Sequence, residues 1–513
     1  MRPYKDRGAG MTCVIGLDIG TTSTIGMLLR LPDEPLALAQ RPVTLRHPQA
    51  GWAEEDPQQW WDNVCALIPE LLRAGGVTAD EVRAVGVAGM VPALVLLGAD
   101  GQLLRPSIQQ SDGRCHAEVA AMREELDEAT FVRRTGNGIN QQLLACKLRW
   151  LERHEQDVFD RIGCAFGSYD YINWRLTGAR RVEQNWALEA GFVELASGRI
   201  DEALVGLGGL DPGRVPPMAA SQEVIGSVST DAAAATGLRA GTPVVAGVAD
   251  HVASAWAAGV QQPGDMLVKL GGAGDILLSS GRARPDSRMF LDYHAIPGLY
   301  MPNGCMACSG SLLNWFAEHF GHAADARPGG GYRLQKLDAW AAEVPIGSQG
   351  VRALPYFLGE KTPVQDPLAR GAFSGLGLHH GPGHLWRSLL EAVAFGVRHH
   401  VEVFGELGFG CRQVLASDGG SASRVWLQII ADVLGQPLTP LSGHPGSCLG
   451  AAWMAAMGTG LARDWNGASA LVRRSTPVEP TAAHRAPYDE AYAEYRQLYA
   501  ALKPLFHRQA GQT

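Results

Sequence analysis

Long apolar runs are missing from this sequence. A membrane-spanning helix needs about 18 or more consecutive apolar residues, and the nearest approach, residues 241–260, is interrupted by Asp250 and His251. The first ten residues are polar and contain no apolar core of a signal peptide. We therefore predict no membrane partner, a cytoplasmic location, and a short disordered lead over residues 1–11.

Dense basic runs and regularly spaced cysteines are also missing. The net charge is −8 and the pI about 6.0, so we predict no nucleic-acid partner. Nine scattered cysteines, an odd number, argue against a disulfide framework and for a reducing compartment. Cys305 and Cys308 have CxxC spacing, but no second CxxC or nearby His pair accompanies them. We interpret both as buried structural thiols rather than a redox or zinc site.

Glycine, in contrast, is abundant. It accounts for 63 of 513 residues, well above the usual share of about 7%, so many positions need tight turns or a close backbone approach. Hydrophobic residues at 46% and charged residues at 19% are typical of a globular protein with large cores. At roughly 150 residues per domain, the length suggests two to four domains.

One local pattern occurs twice along the chain. A predicted strand at 13–17 runs into a Gly/Thr turn at 18–24 and then into a second strand, which indicates a hairpin. The same order returns about 250 residues later, around a glycine turn at 271–275. Predicted helices alternate with strands elsewhere, which favours α/β layers. We therefore predict two related domains, 12–255 and 256–505.

Three glycine-rich turns, at 18–24, 271–275 and 418–423, each follow an apolar predicted strand. Backbone N–H groups in such turns can face a phosphate, because no side chain blocks them. A single turn of this kind is more often only a connection, but three together favour a phosphate site. Asp18 could hold Mg²⁺ through water, and Thr21 and Thr22 add hydroxyl donors. No GxxxxGK[ST] is present, which excludes a P-loop enzyme.

The segment IGLDIGTTS at 15–23 resembles the first phosphate loop of the FGGY carbohydrate kinases, which belong to the actin-like ATPase superfamily. The resemblance continues in order over about residues 12–505. Further similar segments are WAEEDPQQWW at 52–61, KLRWL at 147–151 and GAFSGL at 371–376. Segments similar to xylulose kinases in particular are LPY at 354–356, GEKTP at 359–363 and RG at 370–371. The resemblance implies an α/β fold of two actin-like (ribonuclease H-like) ATPase domains with an interdomain cleft.

The family's catalytic base is an Asp in a Gly-x-x-Asp segment, and GVAD at 247–250 matches it. The resemblance therefore implies that Asp250 takes the proton from a sugar hydroxyl, a role that phosphoryl transfer requires. From the residues alone, Asp250 is also interpretable as the cap of a following helix, residues 251–258. Both interpretations stay open at this stage.

The same match implies a nucleotide site on the C-terminal side and a sugar site on the N-terminal side. Family members often have Thr or Ser where this chain has Gly272 and Ala273, so backbone contacts must suffice there. The residues implied to bind ATP and its phosphates are Asp18, Gly20, Thr21, Thr22, Gly271, Gly272, Gly274, Gly419, Gly420 and Ser423.

The sugar-side residues depart from the xylulose kinase pattern. Pro92 stands where that group has a His, and His251 stands where it often has an Asn. Unmatched polar groups dominate such specificity. The implied sugar contacts are Met90, Val91, Pro92, Asp112, Asp250 and His251. Asp112 could instead form a surface salt bridge with Arg114, and His251 could be a helix-start residue.

We accordingly predict ATP- and Mg²⁺-dependent phosphorylation of a small sugar, with D-xylulose to D-xylulose 5-phosphate as the first choice. Alternatives are a kinase for another ketose or polyol, such as ribulose or a tetrulose. Others are a catalytically weak actin-like regulatory protein or a non-kinase ATPase of the superfamily. The predicted partner is a small-molecule sugar, and the family resemblance also allows a homodimer.

Overall fold

The computed structural model describes residues 12–321, 330–442, 446–467 and 471–510, and the predicted lead at 1–11 lies outside these ranges. In chain order, the strands are β1 (Cys13–Ile19), β2 (Ser23–Arg30), β3 (Glu34–Pro42), β4 (Glu54–Glu55), β5 (Val82–Gly89), β6 (Val95–Leu97), β7 (Ser107–Ile108), β8 (Cys164–Phe166), β9 (Val182–Glu183), β10 (Val193–Glu194), β11 (Arg199–Ile200), β12 (Met218–Ala219), β13 (Val224–Ser227), β14 (Pro243–Val245), β15 (Val248–Ala249), β16 (Asp265–Leu270), β17 (Gly274–Leu278), β18 (Phe290–Tyr293), β19 (Tyr300–Met306), β20 (Arg352–Leu354), β21 (Ala372–Ser374), β22 (Gln413–Ser417), β23 (Leu438–Ser442) and β24 (Arg473–Arg474). The helices are α1 (Pro57–Gly75), α2 (His116–Glu125), α3 (Glu128–Thr135), α4 (Leu144–His154), α5 (Gln156–Phe159), α6 (Ser168–Thr177), α7 (Gln184–Glu189), α8 (Glu202–Gly206), α9 (Thr230–Thr236), α10 (Asp250–Ala257), α11 (Gly310–Phe320), α12 (Gly330–Glu343), α13 (Pro382–Glu406), α14 (Arg424–Leu434), α15 (Ser447–Gly458) and α16 (Arg485–Ala510).

Local sequence sets the bounds of α1. Asp56 caps its start, where the side chain accepts a hydrogen bond of 2.9 Å from the backbone N–H of Gln58, and Pro57 occupies the first turn. Gly76 ends the helix in the left-handed region at φ 62°. The cap, the proline and the left-handed glycine together place α1 at Pro57–Gly75.

The first large sheet is built around the β1–β2 hairpin. Its strand order is β13-β14-β5-β1-β2-β3, and β15 also pairs with β5. β1 runs antiparallel to β2 and parallel to β5, and β15 runs parallel to β5. Because parallel strands end at the same edge of a sheet, the residues that follow β1, β5 and β15 meet there.

The second large sheet repeats this topology. Its order is β18-β19-β17-β16-β22-β23-β24, with β16 antiparallel to β17 and parallel to β22. Both predicted hairpins are thus confirmed, as is the α/β class. Within the described residues both sheets have seven strands, but the second has β18 at its outer edge beside β19, where the first sheet ends at β3.

Helices α10 and α15 pack against each other beside the first sheet. α15 lies so close to β1 and β5 that only glycine fits at the contacts. A Cβ on Gly16 would lie 1.9 Å from the carbonyl oxygen of Cys448, and one on Gly86 would lie 2.0 Å from that of Ala451. A helix from the C-terminal half thus packs on the N-terminal sheet. None of the helices in the described ranges is long and apolar enough to span a membrane.

Candidate active site

Three neighbouring cavities lie along the cleft between the two sheets. The polar cavity, about 240 Å³, is lined by Met90, Val91, Gln110, Gln142, Glu189, Asp250, His251, Lys269, Ala273, Asp275, Leu277, Phe290, Asn303, Cys305 and Lys361. The central cavity, about 520 Å³, includes Asp18, Asp250, Lys269, Asp418 and Ser447. The glycine cavity, about 460 Å³, includes Gly271, Gly272, Gly419, Gly420, Ser423, Trp386 and Trp426. Asp250 and Lys269 line both the polar and the central cavity.

Asp250 reaches the cleft because the strand before it is broken. The sequence predicts one strand over 244–248, whereas the structure has β14 and β15 separated by Gly247 at φ 91°. A Cβ on Gly247 would lie 2.1 Å from the carbonyl oxygen of Val87, so only glycine allows this crossing. β15 then pairs with the end of β5, and Asp250 follows it directly.

Asp250 is the first residue of α10, and its side chain is 37% exposed. Its Oδ1 accepts a hydrogen bond of 2.6 Å from the backbone N–H of the next residue, His251. The N-cap position of α10 is Ala249, which makes no side-chain capping bond. The capping interpretation of Asp250 is therefore wrong, and the carboxylate is open to the cavities at a helix N-terminus that favours negative charge.

Asp18 is the penultimate residue of β1, and its two carboxylate oxygens differ. Oδ2 accepts a hydrogen bond of 2.5 Å from the hydroxyl of Ser447, whereas Oδ1 is buried and has no hydrogen-bond partner among the described residues. Burial and the negative charge of Asp250 raise the pKa of Asp18 to about 7. An orphaned oxygen beside a second carboxylate fits Mg²⁺, which prefers carboxylates together with phosphate oxygens.

Lys269 occupies the penultimate position of β16, and the sequence analysis missed it. Its Nζ lies 3.5 Å from Oδ2 of Asp275. Burial lowers the pKa of Lys269, but Asp275, Asp418 and Asp250 outweigh that effect and raise the pKa above its ordinary value. A lysine at the end of an otherwise apolar strand, MLVKL, was the available sign of this protonated ammonium.

Most predicted nucleotide residues of the C-terminal half come together in the glycine cavity. The carbonyl oxygen of Gly272 accepts hydrogen bonds from the backbone N–H groups of Ser309, at 2.8 Å, and Ser311, at 3.1 Å, at the start of α11. Gly420 is tightly packed, because a Cβ there would lie 2.4 Å from the ring of Trp426. The glycine cavity therefore lies between two glycine turns, and the side chains of Trp386 and Trp426 line it.

Four predicted nucleotide residues do not line these three cavities. Gly274 is buried against Ser309, 3.2 Å from where its Cβ would stand, so it packs the turn and is not a lining residue. Gly20, Thr21 and Thr22 form the turn after Asp18, and Thr22 is exposed. A phosphate contact at that turn stays a prediction.

The predicted sugar contacts divide in the same way. Met90, Val91, Asp250 and His251 line the polar cavity. Pro92 is buried and does not line that cavity.

Asp112 is 0% exposed, so its predicted sugar contact is wrong. Its carboxylate is occupied by Arg114, at 2.7 and 2.8 Å, and by the backbone N–H of Ala53, at 2.6 Å. The salt bridge with Arg114 is thus present, but it is fully buried and not at the surface as predicted. From the same segment, Gln110 lines the polar cavity instead, and its buried Oε1 finds no hydrogen-bond partner in the described part of the chain.

The remaining polar groups of this cavity come from segments far apart in sequence. They are Gln142, Glu189, Asp275, Asn303, Cys305 and Lys361. Three of them lie in segments noted above, the turn at 271–275, the CxxC pair and GEKTP at 359–363, but none was predicted to face the cleft. Cys305 and Cys308 are both free, which agrees with structural thiols. Burial raises the pKa of the Cys305 thiol well above its ordinary value, so it faces the cavity protonated.

Comparisons with known proteins agree with this arrangement over nearly the whole chain. Residues 13–257 match the N-terminal domain model of the FGGY family of carbohydrate kinases, and residues 282–459 match its C-terminal domain model. The crystal structure of xylulose kinase from Rhodospirillum rubrum is 53% identical, with a TM-score of 0.91, over 96% of this chain and 100% of that one. The predicted fold, two actin-like ATPase domains around a cleft, is confirmed.

Curated relatives give the same result. The xylulose kinase of Escherichia coli K12 is 29% identical over 96% of this chain and 99% of its own length. The L-xylulose/3-keto-L-gulonate kinase of the same organism is 27% identical over 95% of this chain and 97% of its own length. The chain belongs to the FGGY family of carbohydrate kinases, enzymes that transfer a phosphoryl group from ATP to a sugar hydroxyl.

Proposed function

We propose that this kinase phosphorylates a pentulose, converting D-xylulose to D-xylulose 5-phosphate, with Mg²⁺ as its metal ion. The observation that carries the proposal is the place of Asp250, whose carboxylate lines both the polar cavity and the central cavity. A group at that junction can touch a sugar on one side and a phosphoryl group on the other.

The three cavities suit the parts of such a reaction. The adenosine lies in the glycine cavity, between the turns at 271–272 and 419–420, and its phosphates extend into the central cavity. The sugar lies in the polar cavity, where Glu189, Asp275 and Gln110 offer hydrogen-bonding groups to its hydroxyls. This arrangement aligns a hydroxyl with the γ-phosphate, which is the main requirement of phosphoryl transfer.

Each charged residue then has one task. Asp250 accepts the proton of the attacking hydroxyl as the oxygen–phosphorus bond forms and the bond to ADP breaks. The ammonium of Lys269 stabilises negative charge on the transferred phosphoryl group. Asp18, through its unpaired Oδ1, would hold Mg²⁺, which neutralises phosphate charge when bound.

The choice of D-xylulose rests on the relatives named xylulose kinase, together with a compact, strongly polar cavity. We test it by measuring ADP release with D-xylulose, L-xylulose, D-ribulose, a tetrulose and glycerol. We expect the highest kcat/KM with D-xylulose. The proposal fails if another sugar gives a higher value, or if no sugar raises ADP release above the rate without sugar.

We also propose a cytoplasmic location, which the nine free cysteines support. The division into domains at 12–255 and 256–505 stays a prediction, as does a homodimer. An ultracentrifugation run on the purified protein measures the oligomeric state directly.

A further inference from the structure

We propose that Asp292, on the C-terminal side of the cleft, is a positioning residue that holds His251 and, through it, the carboxylate of Asp250. Nε2 of His251 lies 2.8 Å from Oδ2 of Asp292, and its Nδ1 lies 3.4 Å from Oδ1 of Asp250. One imidazole therefore bridges carboxylates from the two halves of the chain. The inference rests on the proposed role of Asp250 as the base.

The side chain of His251 can donate hydrogen bonds to both carboxylates at once only as an imidazolium. Burial lowers the pKa of His251, but the charge of Asp292 and the hydrogen bonds to Asp250 and Asp292 outweigh it and raise the pKa well above its ordinary value. Both ring nitrogens then carry protons, and each faces a carboxylate.

Asp292 is built to hold such a partner. Its side chain is 1% exposed, and the amide of Asn303 donates a second hydrogen bond, of 2.8 Å, to the same Oδ2. Glu189 lies against this carboxylate, and burial together with the charge of Asp292 raises the pKa of Glu189 well above its ordinary value. Crowding of the two carboxyl groups therefore favours the protonated form of Glu189.

The strand that carries Asp292 is itself fixed to the opposite half of the chain. Asn137 donates to the carbonyl oxygen of Leu291 at 3.0 Å and accepts from its N–H at 2.9 Å. Asn185 does the same with Tyr293, at 3.1 and 2.7 Å. β18 is an edge strand, and the two amides satisfy backbone groups that such an edge would leave open. Asp292 is thereby held between two anchored residues.

The consequence for catalysis concerns the orientation of Asp250. Two N–H groups of His251, one from the backbone and one from the ring, face Oδ1 of Asp250. Oδ2 receives no hydrogen bond from any described residue, so it is the oxygen left to accept the substrate proton. Loss of Asp292 frees the imidazole to rotate, and the base loses one of its two restraints.

The test is a double-mutant cycle of Asp292→Ala and His251→Ala, with kcat, both KM values and melting temperature measured. Because a small misplacement of a catalytic group can cost up to about 10²-fold, we expect Asp292→Ala to lower kcat about 10- to 100-fold. The KM for ATP should stay unchanged. Asp292→Asn, whose amide oxygen still accepts from His251, should retain more activity than Asp292→Ala.

In the His251→Ala background, Asp292→Ala should change kcat by less than about twofold, because residues that act through each other are not additive. Asp286→Asn is the matched control. Asp286 lies in the same half and bonds Arg288, so its replacement should leave kcat unchanged. If Asp292→Ala does not fold, Asp292→Leu, which also removes the acceptor but keeps more of the buried volume, replaces it in the cycle.

An equal fold-loss in both backgrounds would overturn the inference, since Asp292 would then act independently of His251. Unchanged kcat in Asp292→Ala would overturn it as well. Glu189, His251 and Asp292 also place ligand atoms within 4.8 Å of one another, so one equivalent of bound metal that disappears in Asp292→Ala would assign the cluster to a metal instead. A wild-type protein without sugar-dependent ADP release would overturn the proposed function, which is a separate outcome.

Discussion

Asp18 and Lys269 occupy equivalent positions in the two halves of the molecule and carry opposite charges. Each is the penultimate residue of the strand that starts a hairpin, β1 or β16. Each of these strands also has a parallel neighbour on its other side, β5 or β22. The repeated topology therefore delivers one carboxylate and one ammonium to the same central cavity.

Their surroundings act on the two charges in opposite ways. Burial and the charge of Asp250 raise the pKa of Asp18 to about 7, which disfavours its negative charge, whereas nearby carboxylates favour the charged form of Lys269. Asp18 has a serine hydroxyl on one oxygen and nothing in the described chain on the other, whereas Lys269 faces three carboxylates. The unpaired carboxylate oxygen of Asp18 can bind a metal cation, whereas the carboxylates around Lys269 keep its side chain protonated. The fold therefore determines the position of each charged group, while the residue and its neighbours determine the sign of the charge and its role.

The largest expected effect comes from Asp250, whose carboxylate lines the same central cavity as Asp18 and Lys269. General bases contribute about 10²- to 10⁴-fold, so Asp250→Asn should lower kcat about a thousandfold with little change in either KM. Steady-state kinetics measures kcat and the two KM values, and isothermal calorimetry measures substrate binding separately. Near-normal turnover would show that Asp250 is not the base, and Asp286→Asn serves as the control.

Asp18→Asn removes the negative charge of the pair formed by Asp18 and Lys269. The amide can keep the bond to Ser447 but loses the charge that would hold Mg²⁺, so we expect kcat to fall about 100-fold and the Mg²⁺ requirement to rise. Titration of activity with Mg²⁺ measures this. An unchanged Mg²⁺ dependence, in a variant that melts like the parent, would remove Asp18 from the metal site.

Lys269→Met removes the positive charge of the same pair. The apolar stem remains but the ammonium is lost, so kcat should fall about 10- to 30-fold through weaker stabilisation of the transferred phosphoryl group. Lys269→Arg should lose less, because it keeps the charge in a different shape. Equal kcat values for the Met and Arg variants would contradict an electrostatic role.

The smallest expected effect comes from alanine substitutions at two residues of the glycine cavity, Gly420 and Gly272. A Cβ on Gly420 would meet Trp426 at 2.4 Å, whereas a Cβ on Gly272 has open space within 4 Å. Overpacking costs about 1–3 kcal/mol, so Gly420→Ala should lower the free energy of unfolding by that amount and raise the KM for ATP several-fold. Gly272→Ala should fold normally. Chemical denaturation and ATP titration measure both, and equal stabilities would count against the tight packing at Gly420.

Local patterns in the sequence determined the hairpins, the glycine turns and the places of Asp18 and Asp250. A hairpin is made by residues that are neighbours in the chain, so strand, turn and strand are visible in one short segment. The helix bounds of α1 follow for the same reason, because caps act on the adjacent turn. The family resemblance added the role of Asp250, which its position before a helix left open.

Tertiary structure alone decided the sugar side. Gln110, Glu189, Asn303 and Lys361 line one cavity only because the two halves of the chain pack together, and no spacing in the sequence encodes that proximity. The fate of Asp112 was equally hidden, since a carboxylate looks the same in sequence whether it faces a ligand or is saturated by Arg114. Short segments of sequence therefore indicated where the strands end and the glycine turns begin, and packing between distant segments decided which side chains line the polar cavity.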